Sequence, residues 1–219
     1  MKSLALSLAI LAALSLSPTS QAHEGHDHAV NTTTSTSNCI SVKQAATQAA
    51  LRDLWVEHVF WIRNYVVANK KGDQNEQKVA TEQVLANATS ISGAIASFYG
   101  KPAGDQMLRL LAGHWGAVKD YSDATFKKDA KGKQDATAKL IANAKEIAAF
   151  LAKANPNLPE ATLVGLLSAH GAHHIAQIQQ ISNGDFAGEA KTWAAMRSHM
   201  FTIADALTAG LAKQFPAKF

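Results

Sequence analysis

The chain of 219 residues carries 21 Lys and Arg against 17 Asp and Glu, a formal net charge of +4, and 47% of its residues are hydrophobic. This balance is typical of a globular protein with a mildly basic surface, and it excludes a strongly charged nucleic-acid-binding tail. Cys39 is the only cysteine, so the chain forms no internal disulfide and its stability must come from packing.

The first 22 residues have the pattern of a signal peptide. Lys2 supplies the positive charge at the start, residues 4 to 16 form an uncharged run, and a small-x-small cleavage site ends at Ala22. The apolar run is shorter than the roughly 20 residues that a membrane-spanning helix needs, and no second run offers a membrane anchor. The sequence therefore predicts export, to the periplasm or outside the cell, of a mature chain that begins at His23.

Residues 23 to 39 have no hydrophobic periodicity and are rich in His, Thr, Ser and Asn, which predicts a flexible arm. The arm begins HEGHDH, so that His23, His26 and His28 lie within six residues of one another, beside two carboxylates. A free α-amine with neighbouring imidazoles is a ligand set for Cu²⁺, Ni²⁺ or Zn²⁺. The arm is therefore one candidate metal site.

From residue 40 onwards the chain repeats itself every 56 residues. His58, His114 and His170 stand at this spacing, and so do the turn dipeptides Gly72-Asp73, Lys128-Asp129 and Gly184-Asp185. Each unit has the pattern of a helix, a tight turn and a second helix that the Asp side chain caps. The repeat predicts a single all-α domain over residues 40 to 219, a six-helix bundle of three repeated hairpins in a pseudo-threefold arrangement.

The bounds of the six helices follow from the turns and the prolines. Pro102 and Pro159 suit the first turn of a helix, where a missing N–H costs nothing, and Pro216 ends the last helix. The predicted helices cover residues 41 to 70, 74 to 99, 103 to 126, 133 to 154, 159 to 182 and 186 to 213.

The turn between the third and fourth predicted helices holds the basic cluster Lys127, Lys128, Lys131 and Lys133. This cluster has no interleaved aromatic residues, so it predicts a solvated loop and no nucleic-acid partner.

The hairpin geometry brings polar residues to one height in each unit. His58 and Asn87 are equally distant along the chain from the first turn, which places them opposite each other about 22 Å from that turn. The equivalent pairs of the other hairpins are His114 with Asn143 and His170 with His199. Three units are few for an open solenoid. Hairpins that close around a common axis would place all these residues in one central layer.

Such a layer has the residue types of a transition-metal site, because imidazole is a ligand for zinc, copper and nickel. The candidate ligands of the helical domain are His58, His114, His170, His174 and His199. His174 is included because it lies four residues after His170 and therefore on the same helix face. The residues expected to surround and orient the ligands are Asn87, Asn143 and His173.

Two other interpretations of these residues stay open. The His and Asn pairs can be satisfied hydrogen bonds that only fix packing, in a structural or interaction domain. Histidine among apolar and aromatic residues also fits a haem pocket, although the chain has no CxxCH motif.

The tryptophans predicted as core residues are Trp55, Trp61, Trp115 and Trp193. The chain has no Gly-rich phosphate loop, no G-x-S-x-G elbow and no pair of E-x-x-H motifs, which favours a binding protein over an enzyme.

Four segments of the helical domain form a recognisable pattern: LRDLWVEHVFWIR, LANATSISGAIASFYG, NAKEIAAFLAKANP and ADALTAGLAKQFPAKF. Together they resemble a family of small, exported, all-helical bacterial proteins without an established activity, over residues 50 to 219. The positions that carry the family's polar pattern are His58, His114, His170, Asn87 and Asn143. The resemblance therefore implies the same layer of polar side chains.

Overall fold

A computed structural model describes residues 40 to 219 of the chain. The predicted signal peptide and arm lie outside the described residues, as do the candidate ligands His23, His26 and His28 and the single cysteine, Cys39. All regular structure in the described part is helical, and it comprises six α-helices. The prediction of an all-α protein with six helices is confirmed.

The helices begin and end close to the predicted positions. Their bounds are Val42–Lys71 (α1), Gln74–Tyr99 (α2), Lys101–Phe126 (α3), Ala130–Ala154 (α4), Glu160–Asn183 (α5) and Phe186–Gln214 (α6), followed by a 3₁₀ turn at Pro216–Lys218. The largest difference is at α4, which begins three residues earlier than predicted. Lys131 and Lys133 therefore belong to the first turn of α4 and not to the preceding turn.

The three turns inside the hairpins share one construction. Asp73, Asp129 and Asp185 each cap the following helix, with a carboxylate oxygen that accepts from a backbone N–H of its first turn. Such a cap stabilises a helix by about 1 kcal/mol. The residue before each Asp has a left-handed φ, 72° at Gly72, 58° at Lys128 and 75° at Gly184, and only the lysine is strained there.

The odd-numbered helices form the inside of the bundle. α1, α3 and α5 contact one another, and α2 and α4 each pack against the helices before and after them, while α6 packs against α5 and α1. Two side-on ion pairs join α1 to α6: Arg52 with Asp205, and Arg63 with Glu189. The first and last helices are thus held together by charged groups as well as by apolar packing.

The core consists of two apolar clusters separated by a polar level. On α1 the first cluster extends to Val59 and the second begins at Ile62, and on α3 the change falls between Leu111 and Trp115. Trp55 and Trp115 are buried in these clusters, and the other two tryptophans predicted as core pack against them partly exposed. None of the helices between residues 40 and 219 has the length and apolar character needed to cross a bilayer.

Candidate metal centre

Four histidines lie together at the boundary between the two apolar clusters. They come from the three inner helices: His58 from α1, His114 from α3, and His170 with His174 from α5. Their exposed fractions are 1%, 6%, 2% and 1%. One ring nitrogen from each lies within 4.8 Å of a ring nitrogen of every other. The inner helices thus place four imidazole donors around one point.

The local sequence explains why all four side chains point inward. His58 has the buried residues Trp55 and Ile62 three and four positions away on its own helix, and His114 has Leu111 and Val118 at the same spacings. Positions three or four residues apart share a helix face, so burial of these apolar residues turns each histidine toward the axis. On α5 the four-residue spacing of the two histidines puts both on that face, which gives this helix two donors.

The spacing of the donors is close to that of a tetrahedral metal site. The ring centroids of the four imidazoles are 4.4 to 6.1 Å apart. His170 Nε2 and His174 Nε2 are separated by 3.1 Å. A tetrahedral Zn²⁺ with metal–nitrogen bonds of about 2.0 to 2.1 Å separates its ligand atoms by roughly 3.3 Å. The pair on α5 is close to this spacing, and all four donor atoms lie within 4.8 Å of one another.

The imidazole nitrogens in this cluster are poorly satisfied. Five of them are buried without any hydrogen-bond partner: both nitrogens of His58, Nε2 of His114, Nδ1 of His170 and Nδ1 of His174. A buried polar group without a partner costs about 1 to 3 kcal/mol on protein scales. Four histidines that only fixed helix packing would be expected to satisfy their nitrogens. An ion held by the Nε2 atoms of His170 and His174 would take up one of the unpartnered nitrogens of His58 and the unpartnered Nε2 of His114, so the cluster is compatible with a metal site.

A second set of polar groups surrounds the cluster and repeats in each hairpin. Asn87 Nδ2 donates to Leu54 O at 3.0 Å, and Asn143 Nδ2 donates to Leu110 O at 2.9 Å. In both cases the acceptor lies four residues before the histidine of that hairpin. In the third hairpin the equivalent contact is made by His199, whose Nε2 lies 2.8 Å from Leu166 O.

These contacts leave a buried acceptor beside two of the histidines. The amide oxygens Oδ1 of Asn87 and Asn143 have no hydrogen-bond partner. Each asparagine lies beside its own histidine, Asn87 beside His58 and Asn143 beside His114. An imidazole that binds a metal through one nitrogen needs an acceptor for the N–H on the other. The two asparagines have the orientation and the free oxygen to supply it.

Burial keeps the four imidazoles neutral. Loss of solvation lowers the pKa of His58 to about 3 and that of His114 to about 4, with further lowering at His58 from the neighbouring His114. The pKa values of His170 and His174 also lie well below the usual value, chiefly through burial and then through the other histidines. A neutral imidazole offers its lone pair, so the cluster is ready to bind a metal at neutral pH.

The lowered pKa values predict that the metal-free protein loses stability in mild acid. Because each folded pKa lies below the ordinary 6.5, the unfolded chain binds more protons than the folded chain as pH falls below 6.5. The stability that the neutral histidines contribute to the folded, metal-free protein is therefore fully present above pH 6.5. It is lost at about 1.4 kcal/mol per histidine for each pH unit below it. Urea unfolding of metal-free protein between pH 7.5 and 5.5 measures this slope, which His58→Leu should reduce; a slope that the variant leaves unchanged would contradict the prediction.

A small cavity adjoins the histidines and lies next to a surface groove. It measures about 20 Å³ and is lined by His58, His114 and His170 together with apolar residues of α3, α4 and α5. That volume holds one water molecule or one metal ion. A surface groove of about 250 Å³ between α4 and α5 shares the residues Leu140, Leu167 and Gly171 with the cavity. Leu140, Leu167 and Gly171 thus lie between the groove and the histidine cavity, and we expect an ion to enter past them.

A larger side chain at Gly171 is therefore expected to slow access to the cluster. A Cβ atom at this position would meet nothing within 4 Å, so Gly171→Leu projects into the open space of the groove. We expect metal uptake, followed by the fluorescence of the nearby tryptophans, to slow at least tenfold with little change in equilibrium affinity. Gly165→Leu on the same helix, also open but outside both cavities, is the matched control. Equal rates in the two variants would contradict this route.

The structure brings together four of the predicted ligands and separates a fifth. His199 lies outside the cluster on the carbonyl of Leu166, and its ring is 5.5 Å from that of His173. Both of these histidines are partly exposed. His199 therefore takes the place that asparagine holds in the other hairpins, and His173 faces it instead of the central cluster.

Comparisons of the chain with family models, with curated proteins and with solved structures found no match. The family resemblance of the sequence motifs thus stays a prediction. Any conclusion about function has to come from the chemistry of the site itself.

Two contacts of the site were not predicted from the sequence. Trp55 sets its ring edge-to-face against His58, with centroids 5.9 Å apart, and its Nε1 is buried without a partner. Glu57 Oε2 accepts a second hydrogen bond from Asn87 Nδ2 at 2.9 Å and so helps to fix that amide. The three-residue spacing from Trp55 to His58 was the available signal for the first contact, whereas nothing in the repeat indicated the second.

Proposed function

We propose that this protein is an exported metal-binding protein that holds one transition-metal ion between His58, His114, His170 and His174. The observation that carries the proposal is the meeting of four buried imidazole donors within 4.8 Å of one another. Imidazole binds copper, zinc and nickel, and four nitrogen donors fill a tetrahedral site. Export is part of the proposal and is supported by the signal-peptide pattern of residues 1 to 22.

Metal handling or storage fits this site better than catalysis. Catalytic metal sites keep a coordination position for water or substrate, whereas sites with four protein ligands are closed. The cavity beside the histidines has room for a single small species. A substrate would have neither a position on the metal nor space beside it, so we assign the protein a binding role.

The repeat supports the same arrangement. We propose that the three hairpins are equivalent around an axis through the histidine cluster, because each contributes one histidine at the 56-residue spacing. In each hairpin a side chain of the second helix also contacts the carbonyl four residues before that histidine. In this arrangement Asn87 and Asn143 orient the ligands, whereas His199 has the equivalent position in the repeat but faces His173 outside the cluster.

The two other interpretations have less support. Histidines kept only for packing would be expected to have satisfied nitrogens, but both ring nitrogens of His58 and Nε2 of His114 have no partner among the protein groups. A haem needs a pocket in the range of small-molecule sites, about 300 to 1,000 Å³. The cavity at the histidines is about 20 Å³ and does not admit it. The arm residues His23, His26 and His28 remain candidates for a separate site.

The deciding experiment is the metal content of the full-length mature protein, purified without a tag. We expect about one Cu, Zn or Ni ion per chain, retained when the arm histidines are exchanged for alanine and lost when His114 and His174 are exchanged for leucine. The matched control is His173→Leu with His199→Leu, which changes two histidines outside the cluster. Binding that disappears with the arm histidines, or that survives loss of the cluster, would refute the proposal.

A further inference from the structure

We infer that the four-histidine cluster selects a monovalent soft cation, Cu⁺, over divalent ions. The inference rests on the proposed metal-binding function and names the class of ion that this site takes. It depends on two features of the site: the donors carry no charge, and the walls of the cavity are apolar.

The donor set brings no negative charge to the ion. An imidazole binds through a lone pair and is neutral when it does so, unlike a thiolate or a carboxylate. All four donors of the cluster are imidazoles. The groups available to orient them, Asn87 and Asn143, are neutral amides with free oxygens. The charge of the bound ion therefore stays uncompensated by its ligands and by these neighbours.

The nearest acidic groups do not compensate it either. Glu57 is exposed and reaches the site only through the amide of Asn87. Glu189 is buried, but Arg63 binds it side-on and Gln177 donates to it as well. The Arg63–Glu189 pair is neutral as a unit. The cavity wall is otherwise apolar, with Leu111, Ala144, Ile147 and Leu167 among its residues.

An uncompensated charge in such a place is costly, and the cost depends on its magnitude. The solvation energy that an ion loses on burial grows with the square of its charge, so a divalent ion loses about four times as much as a monovalent ion of the same size. Copper is a metal that imidazole suits, and Cu⁺ brings half the charge of Zn²⁺, Ni²⁺ or Cu²⁺. A neutral, buried and dry set of histidines therefore favours Cu⁺, with Ag⁺ as its redox-inert analogue.

The test compares affinities on the full-length mature protein with its arm histidines exchanged for alanine. Cu⁺ is titrated under anaerobic, reducing conditions against a chromogenic Cu⁺ chelator, Ag⁺ by competition with Cu⁺, and Zn²⁺ and Ni²⁺ against chelators of their own. We expect Cu⁺ and Ag⁺ to bind at least 100-fold more tightly than Zn²⁺ or Ni²⁺. Zn²⁺ or Ni²⁺ affinity equal to that of Cu⁺ overturns the inference and leaves the proposed function standing. Absence of binding by any of these ions removes both.

A charge variant tests the reason for the preference. Asn143→Asp places a carboxylate beside His114, and a negative charge attracts a divalent ion twice as strongly as a monovalent one. The ratio of Zn²⁺ to Cu⁺ affinity should rise by roughly tenfold or more. Asn183→Asp adds the same charge at the exposed end of α5, roughly 13 Å along the helix from His174, and should leave the ratio unchanged. A ratio that Asn143→Asp does not raise would contradict the electrostatic origin, and the wild-type affinities decide the selectivity even if this variant fails to fold.

Discussion

Loading the metal-free protein with Cu⁺, or with Zn²⁺ if that ion binds, is expected to raise its melting temperature by roughly 5 to 11 °C at a free-ion concentration of 100 Kd. An ion that binds only the folded chain stabilises it by about 2.7 kcal/mol at that concentration. A domain of this size gains roughly 2 to 4 °C per kcal/mol. The cluster brings its four donors together only when α1, α3 and α5 are packed, so the unfolded chain has no equivalent site. Thermal unfolding with and without the ion measures the gain.

One substitution in the cluster should abolish that gain. His114→Leu removes the single donor that α3 provides and replaces it with an apolar side chain of similar volume. His199→Leu is the matched variant, because it removes a histidine that contacts a backbone carbonyl outside the cluster. A full gain in His114→Leu, or an equal loss in both variants, would show that the ion binds elsewhere.

The second large effect is a gain in stability, whereas most substitutions in a protein core reduce stability. His58→Leu is expected to stabilise the metal-free protein by about 1 to 3 kcal/mol, because both ring nitrogens of His58 are buried without a partner and leucine removes that cost. Most point mutations destabilise, by about 1 kcal/mol on average. Denaturant unfolding at pH 7.5 in the presence of a chelator measures the difference. The same variant should bind metal more weakly, so stability and binding move in opposite directions.

Asn155 provides the contrast for this experiment. It is also fully buried, but its amide donates to the Tyr99 hydroxyl and its Oδ1 accepts from the backbone N–H of Asn157. Asn155→Leu should therefore destabilise, because it leaves these partners without a hydrogen bond. If His58→Leu destabilises the metal-free protein as much as Asn155→Leu does, the histidines act in packing and the metal-site interpretation is wrong.

Much of the fold could be predicted because turn chemistry and hydrophobic spacing agree along the chain. The Asp residues of the three turns identified the start of each second helix, and the observed caps explain why this worked. The start of α4 was misplaced for a related reason. The basic cluster of Lys127, Lys128, Lys131 and Lys133 was assigned to one turn, whereas Asp129 accepts from the backbone N–H of Gly132 and so begins the helix before Lys131.

The site could be predicted only as far as helix geometry determines height and face. Distance from the turn placed His58, His114 and His170 at one level, and the four-residue spacing added His174. Geometry of this kind does not determine how far a side chain reaches. His199 occupies the same repeat position as Asn87, and only the structure shows that its ring stops at the carbonyl of Leu166. The cavity and its position beside the α4–α5 groove depend on packing that no spacing rule contains.

The division of the four donors among the inner helices also determines when during synthesis the site exists. A chain that ends after α4 contains His58 and His114 and therefore half of the donors, and the other two arrive together on α5. Under the proposed function, incomplete copies of the protein would lack half of the ligands. Retention of an ion would then report that the polypeptide has been completed and folded through its third hairpin.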